Sequence, residues 1–211
     1  MCAKYIIVHV YCSTPTINEN ILEYEKTIRN LPEPEEMVGI FSKKGVLIHE
    51  QEGIYIPGIG TVVILPKNVH EKVIGQILTH NHSSDASFSK RDLVEHAYFR
   101  FSEMRVVGKS GTFSLSPKES GWPESFEIGE FISQIRSDSE FQSKLNDIQF
   151  DPKFCQHSGD INGDMVRIKS HLICEKFSTK CNLNYRASAQ TETTEPYIQN
   201  WLSYCLQNEL E

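Results

Sequence analysis

Long apolar runs are missing from this chain of 211 residues. No segment approaches the roughly 18 unbroken apolar residues of a membrane-spanning helix, so no membrane partner is expected. The run Tyr5-Ile6-Ile7-Val8-His9-Val10-Tyr11 is short, contains a histidine and lacks a clear small-residue cleavage site. It reads as a strand rather than a leader. Positive charge is scarce too: 21 Lys and Arg against 28 Asp and Glu leave a formal charge of −7. General nucleic-acid binding needs a cationic surface and is therefore disfavoured. No Cys-x-x-Cys occurs among Cys2, Cys12, Cys155, Cys174, Cys181 and Cys205. Their irregular spacing suits free thiols in a reducing compartment better than a disulfide framework, so a cytoplasmic location is expected. Internal repeats and low-complexity tracts are also absent.

What remains is an ordinary globular composition, 39% hydrophobic and 23% charged. The length allows one large domain or two modest ones, and a core that needs no disulfide or metal as scaffold. Thr16 to Glu19 fits a capping box, and Ile17, Ile21, Leu22, Tyr24, Ile28 and Leu31 continue at helical spacing up to Pro32 and Pro34. Met37 to Phe41 and Val46 to His49 read as strands around a solvated Lys43-Lys44-Gly45 turn. Gly53, Pro57, Gly58 and Gly60 punctuate a loop, and Val62 to Leu65 reads as a third strand. A helix is expected from Asn68 through Val73, Ile74 and Ile77, with Ile77 to Thr79 passing as a strand into His80. Leu93, Val94, Ala97, Tyr98 and Phe101 form an apolar helical stripe, and residues 105–107 and 112–115 a strand pair. This alternation is the α/β pattern. Beyond Pro117 and Gly121-Trp122-Pro123 the periodicity is almost all helical, around Phe126 to Ile135, Met165 to Phe177 and Tyr197 to Cys205. Trp122 and Trp201 are expected as packing anchors.

One stretch carries chemistry: Thr79-His80-Asn81-His82, then Phe88-Ser89-Lys90-Arg91-Asp92. On an extended backbone His80 and His82 project to the same face. Asp92 falls in the first turn of the next helix. Two imidazoles and a carboxylate suit a divalent ion, above all zinc, and three protein ligands leave a fourth position for water. The plainer reading is a chance His-x-His beside a Ser89 N-cap with an acidic residue three positions on. The strand before and the helix after favour the metal site. His96 lies beside the apolar stripe, either near the metal or at the surface. Cys155-Gln156-His157 is read as incidental, and His171 with Cys174 as packing. His-Asn-His shares little beyond its letters with a nuclease family whose histidines and asparagine are widely separated.

His80-x-His82 followed by Ser89-x-x-Asp92 resembles the JAMM motif of the JAB1/MPN superfamily of zinc metalloproteases and isopeptidases. Thr-His-Asn-His and Phe-Ser-Lys-Arg-Asp-Leu look closest to its bacterial and phage branch. Val38 to Gly45 resembles the family's early hairpin, and residues 105–107 and 112–115 its later strands. The likeness covers roughly residues 35 to 123, a little under half the chain. It implies an α/β fold: a mixed, curved β-sheet flanked by helices, layered as in cytidine deaminases. To this the C-terminal periodicity adds a helical extension. It further implies Zn2+ held by His80, His82 and Asp92, and a Ser89 hydroxyl that helps stabilise the oxyanion. The family's upstream acid is a Glu that moves the proton from water to the leaving amine. Glu36 is favoured for that role because it shares a strand face with Val38 and Ile40, with Glu35 as the rival on the opposite face. Two departures stand out: Ser83 occupies the family's Pro position, and the spacer from His82 to Asp92 is one residue shorter than in better-known members.

The expected organisation is a JAMM/MPN-like metalloprotease domain over residues 1–123 and a helical region of unassigned role over 124–211. The expected function is zinc-dependent cleavage of a peptide or isopeptide bond in a protein substrate, of ubiquitin-like, phage or host origin. The alternative is a catalytically weak or inactive protein-binding module of the same fold in a phage- or defence-related setting.

Overall fold

A computed structural model describes residues 18–58, 60–157 and 160–189, together with Leu202, Cys205 and Leu206. The expected strand over residues 5–11, the Thr16 cap, Trp201 and most of the expected last helix lie outside the described residues.

Helix α1 (Glu19–Ile28) starts at Asn18, whose side chain accepts from the Asn20 N–H; the cap is thus Asn18 where a box at Thr16–Glu19 was expected. Strands β1 (Met37–Phe41) and β2 (Leu47–Glu52) form the expected antiparallel hairpin. Gly45 turns it at φ +76°, in the left-handed region open to glycine. The glycine-rich segment that follows is not all loop. β3 (Ile54–Ile56) and β4 (Gly60–Val62) pair as a separate two-stranded ribbon, so the third strand ends at Val62 rather than running to Leu65. A 3-10 turn over Lys67–Val69 leads into the single-turn α2 (His70–Val73), which stops short of Ile74 and Ile77 because Gly75, at φ +70°, leaves the helix. Next come β5 (Ile77–Asn81), α3 (Lys90–Phe99), β6 (Glu103–Val107) and β7 (Gly111–Pro117).

The C-terminal half supplies α4 (Ser125–Ser137), α5 (Ser139–Gln149), α6 (Pro152–His157), α7 (Ile161–Lys180) and one strand, β8 (Leu183–Ala189). The expectation of a purely helical extension is corrected here. β8 pairs antiparallel with β7 from Leu183↔Pro117 to Ala189↔Gly111 and joins the main sheet. Its alternation is short and ends in small residues, Ala187, Ser188 and Ala189, which are weak strand formers.

The six-stranded sheet runs β2-β1-β5-β6-β7-β8. It is mixed: β5 and β6 are parallel, and every other neighbouring pair is antiparallel. Helix α3 makes the crossover that a parallel pair requires. Alternation divides the two faces. Leu78, Met104, Val106, Phe113 and Leu115 face one way, and all but Leu78 belong to the larger core cluster with Leu93 of α3, Ile128 and Ile132 of α4, and Ile168 and Leu172 of α7. That cluster draws on both sides of residue 123. Burying side chains of this size stabilises by roughly 1.5–3 kcal/mol each. On the other face lies α1. Tyr24 packs over Gly39, where a Cβ would come within 2.5 Å of its ring. Glu25 is buried and takes Arg105 in a two-pronged pair, at 2.5 and 3.2 Å, and the Thr79 hydroxyl at 3.0 Å. Among the described residues, no helix is long and apolar enough to cross a membrane.

Candidate metal centre

The site is built across the loop that joins the end of β5 to the start of α3. His80 is the penultimate residue of β5 and His82 follows its end, so period-two alternation sends both rings to the α3 side. Asp92 sits at the third position of α3. It is fixed there by a capping box: the Ser89 N–H donates to Asp92 Oδ2 at 2.6 Å, and the Asp92 N–H donates to Ser89 Oγ at 3.2 Å. The plain reading of Ser89-x-x-Asp92 as a helix cap therefore holds, and the same box aims the carboxylate at the histidines. His80 Nε2 lies 3.0 Å from His82 Nε2, 3.7 Å separates His80 Nε2 from Asp92 Oδ1, and 3.3 Å separates His82 Nε2 from Asp92 Oδ2. The ligand atoms of the three residues lie within 4.8 Å of one another. His82 Nδ1 is 3.1 Å from the Ala86 carbonyl, which accepts its proton and leaves Nε2 to the site.

The protons of this cluster are tightly coupled. Burial pulls the His82 imidazole down, but Asp92 and, more weakly, Glu36 outweigh it and lift the ring to about 9. Burial pushes Asp92 up, yet the facing His82 reverses this and holds the carboxyl well below its usual range. Burial lowers His80 to about 3. One proton thus sits between His82 and Asp92, while His80 stays neutral. Two ring nitrogens 3.0 Å apart with a carboxylate beside them form a donor set that a divalent cation satisfies and that one proton satisfies only in part. The residues fit zinc on that chemistry.

His96 is buried at 4% exposure, one turn beyond Asp92, so its surface alternative is set aside. Its ring stacks on His80 at 6.0 Å between centroids, its Nδ1 donates to the Asp92 carbonyl, and its Nε2 is buried without a partner. Burial holds it neutral, at about 4. The i,i+4 spacing from Asp92 is the sequence signal that places it on the same helix face.

Glu36 reaches the site through sheet register. Val38 is paired with His80 across β1 and β5, so two steps further along the antiparallel register set position 36 opposite position 82. The half-buried Glu36 carboxyl is raised by burial, lowered by His82, raised by Asp92 and lowered by the Ser83 backbone. Glu35 is exposed, and its carbonyl accepts from Asn81 Nδ2 at 2.9 Å.

A cavity of about 1150 Å³ opens beside the cluster, lined by Glu36, His82, Ser89 and Asp92 among others. One side is the Glu33–Glu36 segment with Tyr55 and Thr61 of the β3–β4 ribbon; the other is α3, α4 and α7. Neither the ribbon nor the part played by α7 was visible in the sequence. Helix α7 also fastens the loop between β5 and α3: Arg167 Nε donates to the Ser84 carbonyl at 3.1 Å and Ser170 Oγ to the Phe88 carbonyl at 3.3 Å. His171 and Cys174 pack beneath the loop, both buried, as expected. Cys155 is exposed and takes no part in the His80–His82–Asp92 group. Compared with known proteins, the chain matches no family model, no curated protein and no solved structure.

Proposed function

We propose that this chain is a zinc-dependent hydrolase of peptide or isopeptide bonds in proteins, built as a JAMM/MPN-type unit over residues 1–123. On this reading residues 124–211 complete its groove. The observation that carries the reading is the convergence of His80, His82 and Asp92, with ligand atoms within 4.8 Å, beside the half-buried carboxyl of Glu36. A zinc ion held by those three residues would supply Lewis-acid polarisation and a more acidic water.

The chain's own groups account for the proton transfers. Glu36 takes the proton of the attacking water and delivers it to the leaving amine. Burial raises its pKa toward the operating range of a general base. Ser89 accepts the Asp92 N–H through its lone pair, which leaves its O–H to donate to the developing oxyanion. The capping box holds Asp92 rigid, and the Ala86 carbonyl fixes the His82 tautomer. The Glu36→Gln variant tests the reading. It should keep stoichiometric zinc and lose hydrolysis of a peptide library and of ubiquitin-like conjugates by about a hundredfold or more. If zinc-loaded wild type cleaves nothing in either set, the binding-module alternative replaces this reading.

A further inference from the structure

The groove beside the metal centre is electrically two-sided. The lip formed by Glu33 and Glu36 is acidic, whereas the helical wall carries Lys90 and Arg91 from α3, Arg136 from α4 and Lys169 from α7. Arg91 is engaged with Glu95 at 2.6 Å. Lys90, Arg136 and Lys169 form no ion pair among the described residues. Three separate helices thus bring uncompensated like charge to one cavity in a chain whose net charge is −7. Such a concentration raises the local density of anionic partners and repels itself when empty. Between the cations the wall is aliphatic, with Ile132, Val166 and Ile173.

Resting on the hydrolase reading, we propose that this groove takes a polypeptide segment bearing Asp or Glu side chains on the flank that faces α3, α4 and α7. A single nucleic-acid strand fits the lining less well. Such strands need successive aromatic platforms, and only Tyr55 offers an exposed ring here. The acidic Glu33–Glu36 lip would also repel a phosphate backbone on the opposite side. A peptide presents carboxylates to one wall and neutral groups to the other, and its apolar side chains meet the aliphatic patch.

The test is binding, read by fluorescence anisotropy on the full chain. The probes are a labelled peptide of alternating Glu and Ala, its Gln counterpart, and a labelled single-stranded oligonucleotide of matching charge. The Glu peptide should bind about tenfold more tightly than the Gln peptide, as expected for a few partly exposed ion pairs. The preference should shrink at higher ionic strength. It should vanish in the Arg136→Glu, Lys169→Glu double variant, whose melting temperature serves as the folding control. Equal binding of the two peptides, tighter binding of the oligonucleotide, or a preference that survives the double variant would overturn the proposal. Zinc-loaded wild type that hydrolyses nothing yet keeps the preference sinks only the hydrolase reading. Hydrolysis without any charge preference sinks only this one.

Discussion

The side chain of Asn81 accepts a hydrogen bond from the backbone N–H of Met37 at 2.7 Å. Its amide nitrogen donates to the carbonyl of Glu35 at 2.9 Å. One buried amide therefore grips the backbone on both sides of Glu36. Asn81 stands between the two histidines, but its side chain leaves the opposite face of β5. The His-Asn-His triplet thus points two residues toward Asp92 and uses the third to hold the chain that carries the Glu36 carboxyl.

Asn81→Ala should strand the Met37 N–H and the Glu35 carbonyl, costing about 1–3 kcal/mol of stability. Zinc content should be kept, because none of His80, His82 and Asp92 loses a contact. Turnover should fall through the chemical step rather than through substrate binding. Zinc loss as severe as in His82→Ala would show that the amide supports the ligands instead of Glu36.

Asp92 serves both the helix and the site, and two substitutions separate those tasks. Ser89→Ala removes an N-cap, which costs about 1 kcal/mol, but leaves all three ligands in place, so zinc should stay bound. Asp92→Ala removes cap and ligand together and should lose zinc. His80→Ala and His82→Ala should lose zinc without the cap penalty. Near-stoichiometric zinc in all three ligand variants, measured by metal analysis of the purified proteins, would refute the site.

The convergence of His80, His82 and Asp92 was legible because their placement follows from local rules: alternation on a strand and a cap at the third helical position. Glu36 was legible in part. Strand alternation separated it from Glu35, but its meeting with His82 depends on the Val38↔His80 register, which no local pattern encodes. β8 was missed because Tyr185, Ala187 and Ala189 gain strand geometry from β7 rather than from their own propensity. The β3–β4 ribbon was hidden among glycines and prolines that read as a loop. His96 was ambiguous because an imidazole beside an apolar stripe has no fixed preference for core or surface.

The metal-free protein should lose stability as pH rises from about 7.5 to about 9. His82 is raised in the fold to about 9, so its stabilising proton is fully present below pH 6.5 and is lost as pH climbs through the folded value. His80 and His96 are lowered, to about 3 and about 4, so they are neutral in the fold, and in the unfolded chain they are nearly neutral above about pH 7.5. Asp92 is ionised in both states there. Glu36, also raised, acts in the same direction as His82 wherever it titrates. The slope is at most about 1.4 kcal/mol per pH unit for one proton. Saturating zinc should abolish it, because the ligands must give up the shared proton to bind metal. Urea denaturation at several pH values checks both halves. A flat metal-free profile, or an unchanged slope with zinc, would contradict the proton placement.

Tyr185 of β8 ties the loop between β5 and α3 to the C-terminal half. Its hydroxyl lies 3.0 Å from Ser87 Oγ and 2.8 Å from His171 Nδ1, and both partners are buried. A second tether holds the same loop from β7's side: Asp85 Oδ1 accepts from the Ser110 N–H and hydroxyl at 2.8 Å each, packed so closely on Gly108 that a Cβ there would meet it at 2.2 Å. These ties matter because the loop over residues 83–88 contains no proline to stiffen it. Tyr185→Phe keeps the ring and removes only the bridging hydroxyl, leaving two buried polar groups short of a partner at about 1–3 kcal/mol. If the tether positions the ligands, the variant should also surrender zinc to a competing chelator several-fold faster than wild type. Tyr98→Phe, on the exposed side of α3, should behave as wild type in both assays. A Tyr185→Phe protein that melts earlier yet releases zinc at the wild-type rate would mean that β8 stabilises the fold alone, and that the loop keeps its shape without the C-terminal half.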